Sequence, residues 1–174
     1  GIFQLGLIYD TRDLETDPGN GIFAELTNEL SLPSLGSAYR FNKTFVHVNY
    51  YRNLVPGKNK KLVVAARIAG GYTAADAPFF EFQDQWSSEG SIEGLGGAYT
   101  LGGYKQSRFL ARVMTFNNLE LRYRFAQANF LQQHLAFVAV PFADVGGVWN
   151  RLSALNDFSN YRHDEGLGLR IVWN

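Results

Sequence analysis

The sequence predicts an all-β protein, an antiparallel transmembrane β-barrel or a part of one. Three observations carry that expectation. Apolar and polar residues alternate with a period of two in seven segments of about ten residues, as strands with two unlike faces require. The polar face of those segments holds glycine and charges of both signs, Asp10, Arg12, Arg67, Glu120, Arg122 and Arg170 among them, which suits a wet lumen. Aromatic residues gather at segment ends (Tyr9, Tyr50, Tyr51, Tyr72, Tyr123, Trp149, Trp173), as they do at membrane interfaces. Alternation alone also fits a soluble sandwich, whose apolar face would be its core. Segment length, near the ~9–11 residues that cross a bilayer as a tilted strand, favours the barrel.

Each segment can be justified in turn. In "IFQLGLIYDT", Phe3, Leu5, Leu7 and Tyr9 alternate with Gln4, Gly6, Ile8 and Asp10. After the turn "DLETDPGNG", "GIFAELTNELSL" sets Ile22, Ala24, Leu26 and Leu30 against Glu25, Thr27 and Glu29. The loop "PSLGSAYR" leads to "FNKTFVHVNYYRNL", with Val46, Val48 and Tyr50 against His47, Asn49 and Tyr51. "PGKNK" is a short turn into "KLVVAARIAGGY", where Leu62, Val64, Ala66 and Ile68 oppose Arg67 and small residues. A connection over about residues 74–109 follows, containing "LGGAYTLGGYKQSRF". Strands resume with "MTFNNLELRYRF", where Leu119, Leu121 and Tyr123 oppose Glu120, Arg122 and Arg124. A turn at "AQANFLQQ" leads to "LAFVAVPFADVGGVW", and the loop "NRLSALNDFSN" leads to "GLGLRIVW". Short and long connections alternate, the pattern of periplasmic turns and external loops in outer-membrane barrels. On that pattern the first strand runs towards the periplasm.

Composition narrows the function. Lysine plus arginine equals aspartate plus glutamate, so the net charge is zero and no bulk electrostatic case for nucleic acid exists. Cysteine is absent, which excludes a disulfide framework and a thiol metal site. No run approaches the ~20 apolar residues of a membrane helix. "GIFQLGLIYD" opens directly in a strand pattern, and the expectation is a mature piece, a fragment or the ordered part of something longer. Neither a nucleophile elbow, a phosphate-cradling loop nor a zinc-protease motif occurs, so no enzyme activity, catalytic residue or cofactor is expected. His47, His134 and His163 sit on separate segments and are expected in the lumen or in turns, not around a metal. "HDEG", from His163 to Gly166, reads as the polar start of a strand.

The informative set is "YDTRDLETDPGNG", "LGGAYTLGGYKQSRF", "NNLELRYRF", "VPFADVGGVW" and "GLGLRIVWN", in that order. Together these resemble the C-terminal barrel of the BamA/TamA-like superfamily of outer-membrane proteins, also called bacterial surface antigens. The resemblance spans essentially the whole chain, residues 1–174, read as a single barrel domain or barrel fragment. "GYKQSRF" and "NLELRYRF" look most like members from Bacteroidota-type bacteria. The resemblance implies the C-terminal half of a sixteen-stranded barrel, lacking the final strand, with a small barrel completed by other strands as the second choice. It further implies a long external loop folded back into the lumen. The tip of that loop usually carries Arg-Gly before Phe or Tyr, and its arginine pairs with acids that match Glu120 and Asp144 here. The motif departs from the pattern at Gly102, Gly103 and Tyr104, because glycine stands where the arginine is expected. A bidentate, permanently charged fork is thereby lost. One of Arg108, Arg122 and Arg67 is therefore expected to approach Glu120 or Asp144. Gly70, Gly71, Gly146, Gly166 and Gly168 would make room for the loop, and Gly96 and Gly97 would turn it inwards.

For function, the resemblance implies a protein-insertion or translocation barrel in the bacterial outer membrane. Its partners would be the lipid bilayer, unfolded outer-membrane or secreted clients, and other chains where these complete the wall. A barrel that anchors or scaffolds another protein is the alternative, and a soluble β-sandwich binding protein is a third.

Overall fold

The computed structural model describes residues 1–55, 61–75, 77–130 and 133–173. The turn expected at "PGKNK", residues 56–60, lies outside them. Among the described residues nine strands form in chain order: β1 (Ile2–Asp10), β2 (Gly21–Ser31), β3 (Phe41–Val55), β4 (Lys61–Ala75), β5 (Asp84–Gln85), β6 (Ile92–Glu93), β7 (Val113–Phe130), β8 (Gln133–Trp149) and β9 (Tyr161–Trp173). Seven make one antiparallel sheet in the order β1-β2-β3-β4-β7-β8-β9, and β5 and β6 form a separate small hairpin. Every long strand pairs with its neighbour in sequence, apart from the long connection between β4 and β7. β1 and β9 are the two edges, and among the described residues they do not pair with each other.

Each expected segment is a strand, and most run further than their apolar pattern. β7 continues through Ala126 to Phe130, where a turn was expected. A register shift between Arg124 and Ala126 re-phases it against β8, so pairing persists past the point where strict alternation stops. β9 begins at Tyr161 and takes in His163 to Gly166. The long connection spans residues 76–112 rather than 74–109, because β4 stays paired with β3 to Ala75.

The faces decide the environment of the sheet. One side presents Leu7 (64% exposed), Ile68 (67%) and Leu167 (75%), continuous with Leu26, Val46, Leu119 and Ile171. The other side buries Glu25, Thr27, Lys43, His47 and Thr73. A water-soluble sandwich has the reverse arrangement. Leaving one large aliphatic side chain in water forgoes about 1.5–3 kcal/mol, and more than ten stand out on this face. Lipid is the solvent that suits it, so the sheet is the wall of a transmembrane β-barrel. Tyr9, Tyr50, Tyr123 and Trp173 face outwards near the short-turn rim, at interfacial height. Tyr51 and Trp149 depart from the expected girdle. Tyr51 lies beneath the Arg122 guanidinium, and buried Trp149 donates its indole N–H to the Asp157 carbonyl.

The β1–β2 connection is closed by Asp13, whose carboxylate accepts the N–H groups of Leu14, Gly19 and Asn20. Partial burial pushes the Asp13 carboxyl up, but these donors outweigh it and hold it below its ordinary value of 3.8. A carboxyl with a lowered folded value stabilises the turn above its unfolded value and stops doing so as pH falls through the folded one. Amide exchange at Gly19 and Asn20 is therefore expected to stay slow from neutral pH to about 5 and to accelerate below about 3, relative to intrinsic rates.

Candidate functional site: a loop folded onto the lumenal face

The polar face is buried because residues 77–112 fold back over it. Two features of the sequence turn the chain inwards. Gly96 adopts φ +113°, and a Cβ there would stand 2.3 Å from the Lys105 carbonyl oxygen, so only glycine fits. Behind it Leu95 and Leu101, both fully buried, join Phe45, Ala69, Ile92, Met114 and Phe116 in an apolar cluster between loop and wall. This cluster is the core, and it sits inside the barrel.

The loop meets every strand of the wall. The Trp86 ring packs over Gly6 of β1 at 3.5 Å from the position of an added Cβ. Glu25 of β2 accepts Ser87 Oγ at 2.6 Å, the Ser88 N–H at 2.8 Å and His47 Nε2 of β3 at 2.9 Å. Lys43 of β3 stands 3.3 Å from Glu29 of β2 and from Glu81 and Asp84 of the loop. Gln85 covers Gly71 of β4, and Leu95 covers Gly146 of β8 beside Phe116 of β7. Outside the strands, Arg12 pairs with Asp10 and with Glu89, each at 2.8 Å, and lies over the Phe23 ring; the two carboxylates, Asp10 foremost, raise its already high pKa.

At the tip, backbone groups stand where a side-chain clamp was expected. The Gly102 N–H donates to Asp144 Oδ2 at 3.2 Å, and the Gly103 N–H to Asp164 Oδ2 at 2.5 Å. Tyr104 donates its hydroxyl to the His163 carbonyl at 3.4 Å and packs edge-on against Phe109. Asn118 donates to Asp144 Oδ1 and to the Thr100 carbonyl, both at 2.7 Å. Arg67 donates Nε to Asn118 Oδ1 at 2.9 Å and a terminal nitrogen to the Tyr99 carbonyl, with its guanidinium over the Phe116 ring.

The residues singled out from sequence thus divide. Arg122 meets Glu120 at 2.8 Å, joined by Arg170 at 3.7 Å. Arg67 reaches Asp144 only through the Asn118 amide. Arg108 approaches neither acid: it is exposed, and its N–H closes a turn onto the Lys105 carbonyl. Gly71, Gly146 and Gly166 face inwards, Gly166 beneath the Phe142 ring, whereas Gly70 lies against β7 on the outer side and makes no room for the loop. His163 shares the outer side of β9, not the lumen or a turn, because it stands opposite Val145 in the ladder. Of the second anchoring set, Glu25 and His47 were visible only as members of an alternating polar face, and Lys43, Ser87 and Ser88 carried no signal of their own.

Gly102 gives a direct test. A Cβ there would stand 3.4 Å from the Phe142 ring and 3.7 Å from Asp144 Oδ2, which is ordinary contact. Gly102→Arg is expected to add a charge-assisted contact to Asp144 and to raise stability by about 1 kcal/mol, about 2–4 °C in thermal midpoint for a chain of this size. A thermal melt with an unchanged or lowered midpoint would show a lumen rebuilt around glycine.

An apolar outer face, a polar inner face and a loop packed down onto that inner face define the wall of a transmembrane β-barrel protein with a loop on its lumenal side. The Omp85 superfamily domain matches residues 2–174, and the chain belongs to that superfamily. This is a family of outer-membrane proteins concerned with protein insertion and translocation. No curated protein matches the chain.

Proposed function

We propose that this chain forms wall and lumenal loop of a bacterial outer-membrane barrel that inserts or translocates other proteins. The observation that carries the reading is the loop anchored on all seven strands, within a chain of this superfamily. Two further features fit it. The free backbone groups along β1 and β9 are costly in lipid, so both edges need partner strands, from the same protein or from others. Such edges are also where an extended client would add by strand pairing.

The test uses the full-length protein reconstituted in lipid vesicles. A denatured client barrel is added, and its folding is followed by heat-modifiable gel mobility. Accelerated client folding, or transfer of a secreted client into the vesicles, is the expected result. A second reading, an anchor or scaffold without insertase activity, is favoured by Gly102, which removes the tip side chain. It predicts a correctly folded, heat-modifiable barrel that changes neither rate.

A further inference from the structure

We infer that the lumen beneath the loop tip holds a binding site for an acidic side chain of an extended polypeptide. The inference rests on the outer-membrane reading above and adds a ligand chemistry to it. A cavity of about 600 Å³ lies under the tip, between Tyr99 and Gly102 on the loop and the inner faces of β3, β4, β7, β8 and β9. Its charged lining consists of Arg67, Arg122, Arg170, Glu120 and Asp144. Three guanidinium groups therefore face two carboxylates.

Both carboxylates are already engaged. Glu120 takes Arg122 at 2.8 Å and Arg170 at 3.7 Å. Asp144 takes the Gly102 N–H and the Asn118 amide. Arg67 is left with neutral acceptors, Asn118 Oδ1 and the Tyr99 carbonyl, and makes no ion pair among the described residues. A half-buried guanidinium without a counter-charge is costly. Arg170 is the more weakly held partner: its side chain is 49% exposed, and its contact with Glu120 is longer than a hydrogen bond. An incoming carboxylate would meet the spare charge of the cavity and draw Arg170 off Glu120, which keeps Arg122. Tyr51, Tyr99 and Phe142 supply flat apolar surface beside these charges, fitting a peptide better than a bare ion.

The experiment is titration calorimetry of the full-length protein in detergent, with a short uncharged-end peptide carrying two glutamates and with its glutamine twin. The glutamate peptide should bind and the glutamine twin should not. Raising salt from about 0.1 M to about 0.5 M should weaken binding. Arg170→Gln should weaken it about tenfold, the scale of one charge-assisted contact, and Arg170→Lys should restore most of the loss. Arg170 is half exposed, so these variants are expected to fold, which the unchanged heat-modifiable mobility checks. Equal binding of the twins, or indifference to Arg170→Gln, overturns the inference. Inorganic phosphate or acetate binding as tightly as the glutamate peptide also overturns it, since the site would then be one for small anions. None of these readouts requires client folding, so their failure leaves the insertion reading standing, and a barrel without insertase activity can still bind the peptide.

Discussion

Glu25→Ala is expected to release the outer arm of the lumenal loop while leaving the wall intact. Glu25 is 2% exposed and serves three donors at once, from His47, Ser87 and Ser88. Without the carboxylate the His47 and Ser87 donors are left in a buried position, at about 1–3 kcal/mol for each orphaned group, while the Ser88 N–H, nearer the solvent, costs less. The effects overlap, and about 2–4 kcal/mol is the expected total. Hydrogen exchange should show Ser88 and Glu89 losing protection, and a protease should cut there first. Glu25→Gln retains an acceptor for Ser87 and should lose much less. If Ser88 exchange is unchanged in the alanine variant, the arm is held instead by Trp86 and the Arg12–Glu89 pair.

Gly146→Val should have a comparable effect by a different mechanism. A Cβ at Gly146 would lie 2.7 Å from the Thr115 carbonyl oxygen, 2.8 Å from Leu95 Cδ1 and 3.0 Å from Phe116 Cβ. The first neighbour is backbone of the adjacent strand and cannot turn aside. The branched side chain would push β8 from β7 or expel Leu95 from the apolar cluster, and overpacking of this kind costs about 1–3 kcal/mol or more. A lowered thermal midpoint together with faster exchange at Leu95 is the expected signature. Gly70→Val, on the outer side and with nothing closer than 3.8 Å, should be tolerated far better. Equal midpoints for the two variants would show that the loop does not seat against β8.

The strand pattern was legible because lipid and lumen impose opposite chemistries on alternate residues. Leu5, Leu7 and Tyr9, or Leu167, Leu169 and Ile171, declare a face without help from distant parts of the chain. Where alternation lapsed, as at Ala126 to Phe130, pairing with β8 decided the structure and the sequence was silent. The tip was legible in part. Its glycines and the acid at Asp144 were evident, but Asp164 and Asn118 were not, since neither belongs to a local motif. Glu25 and His47 read only as polar wall residues, because the serines that join them through Glu25, Ser87 and Ser88, lie about sixty residues from Glu25 in sequence. The step from wall to lumenal site depends on where the loop travels, and no local pattern encodes that path.

The brace formed by residues 77–112 also has a consequence for assembly in time. Its anchors join partners far apart in sequence, such as Thr27 and Trp86, whose hydroxyl-to-carbonyl bond is 2.8 Å, and they lie on the inner side of the wall. Such long-range contacts form late and slowly. The loop must therefore enter before the wall is complete, since afterwards its charged anchors would have to be dragged past one another. Loop seating and wall completion are therefore coupled in order, and a loop left outside would leave the buried acids and Lys43 of the inner face without their partners.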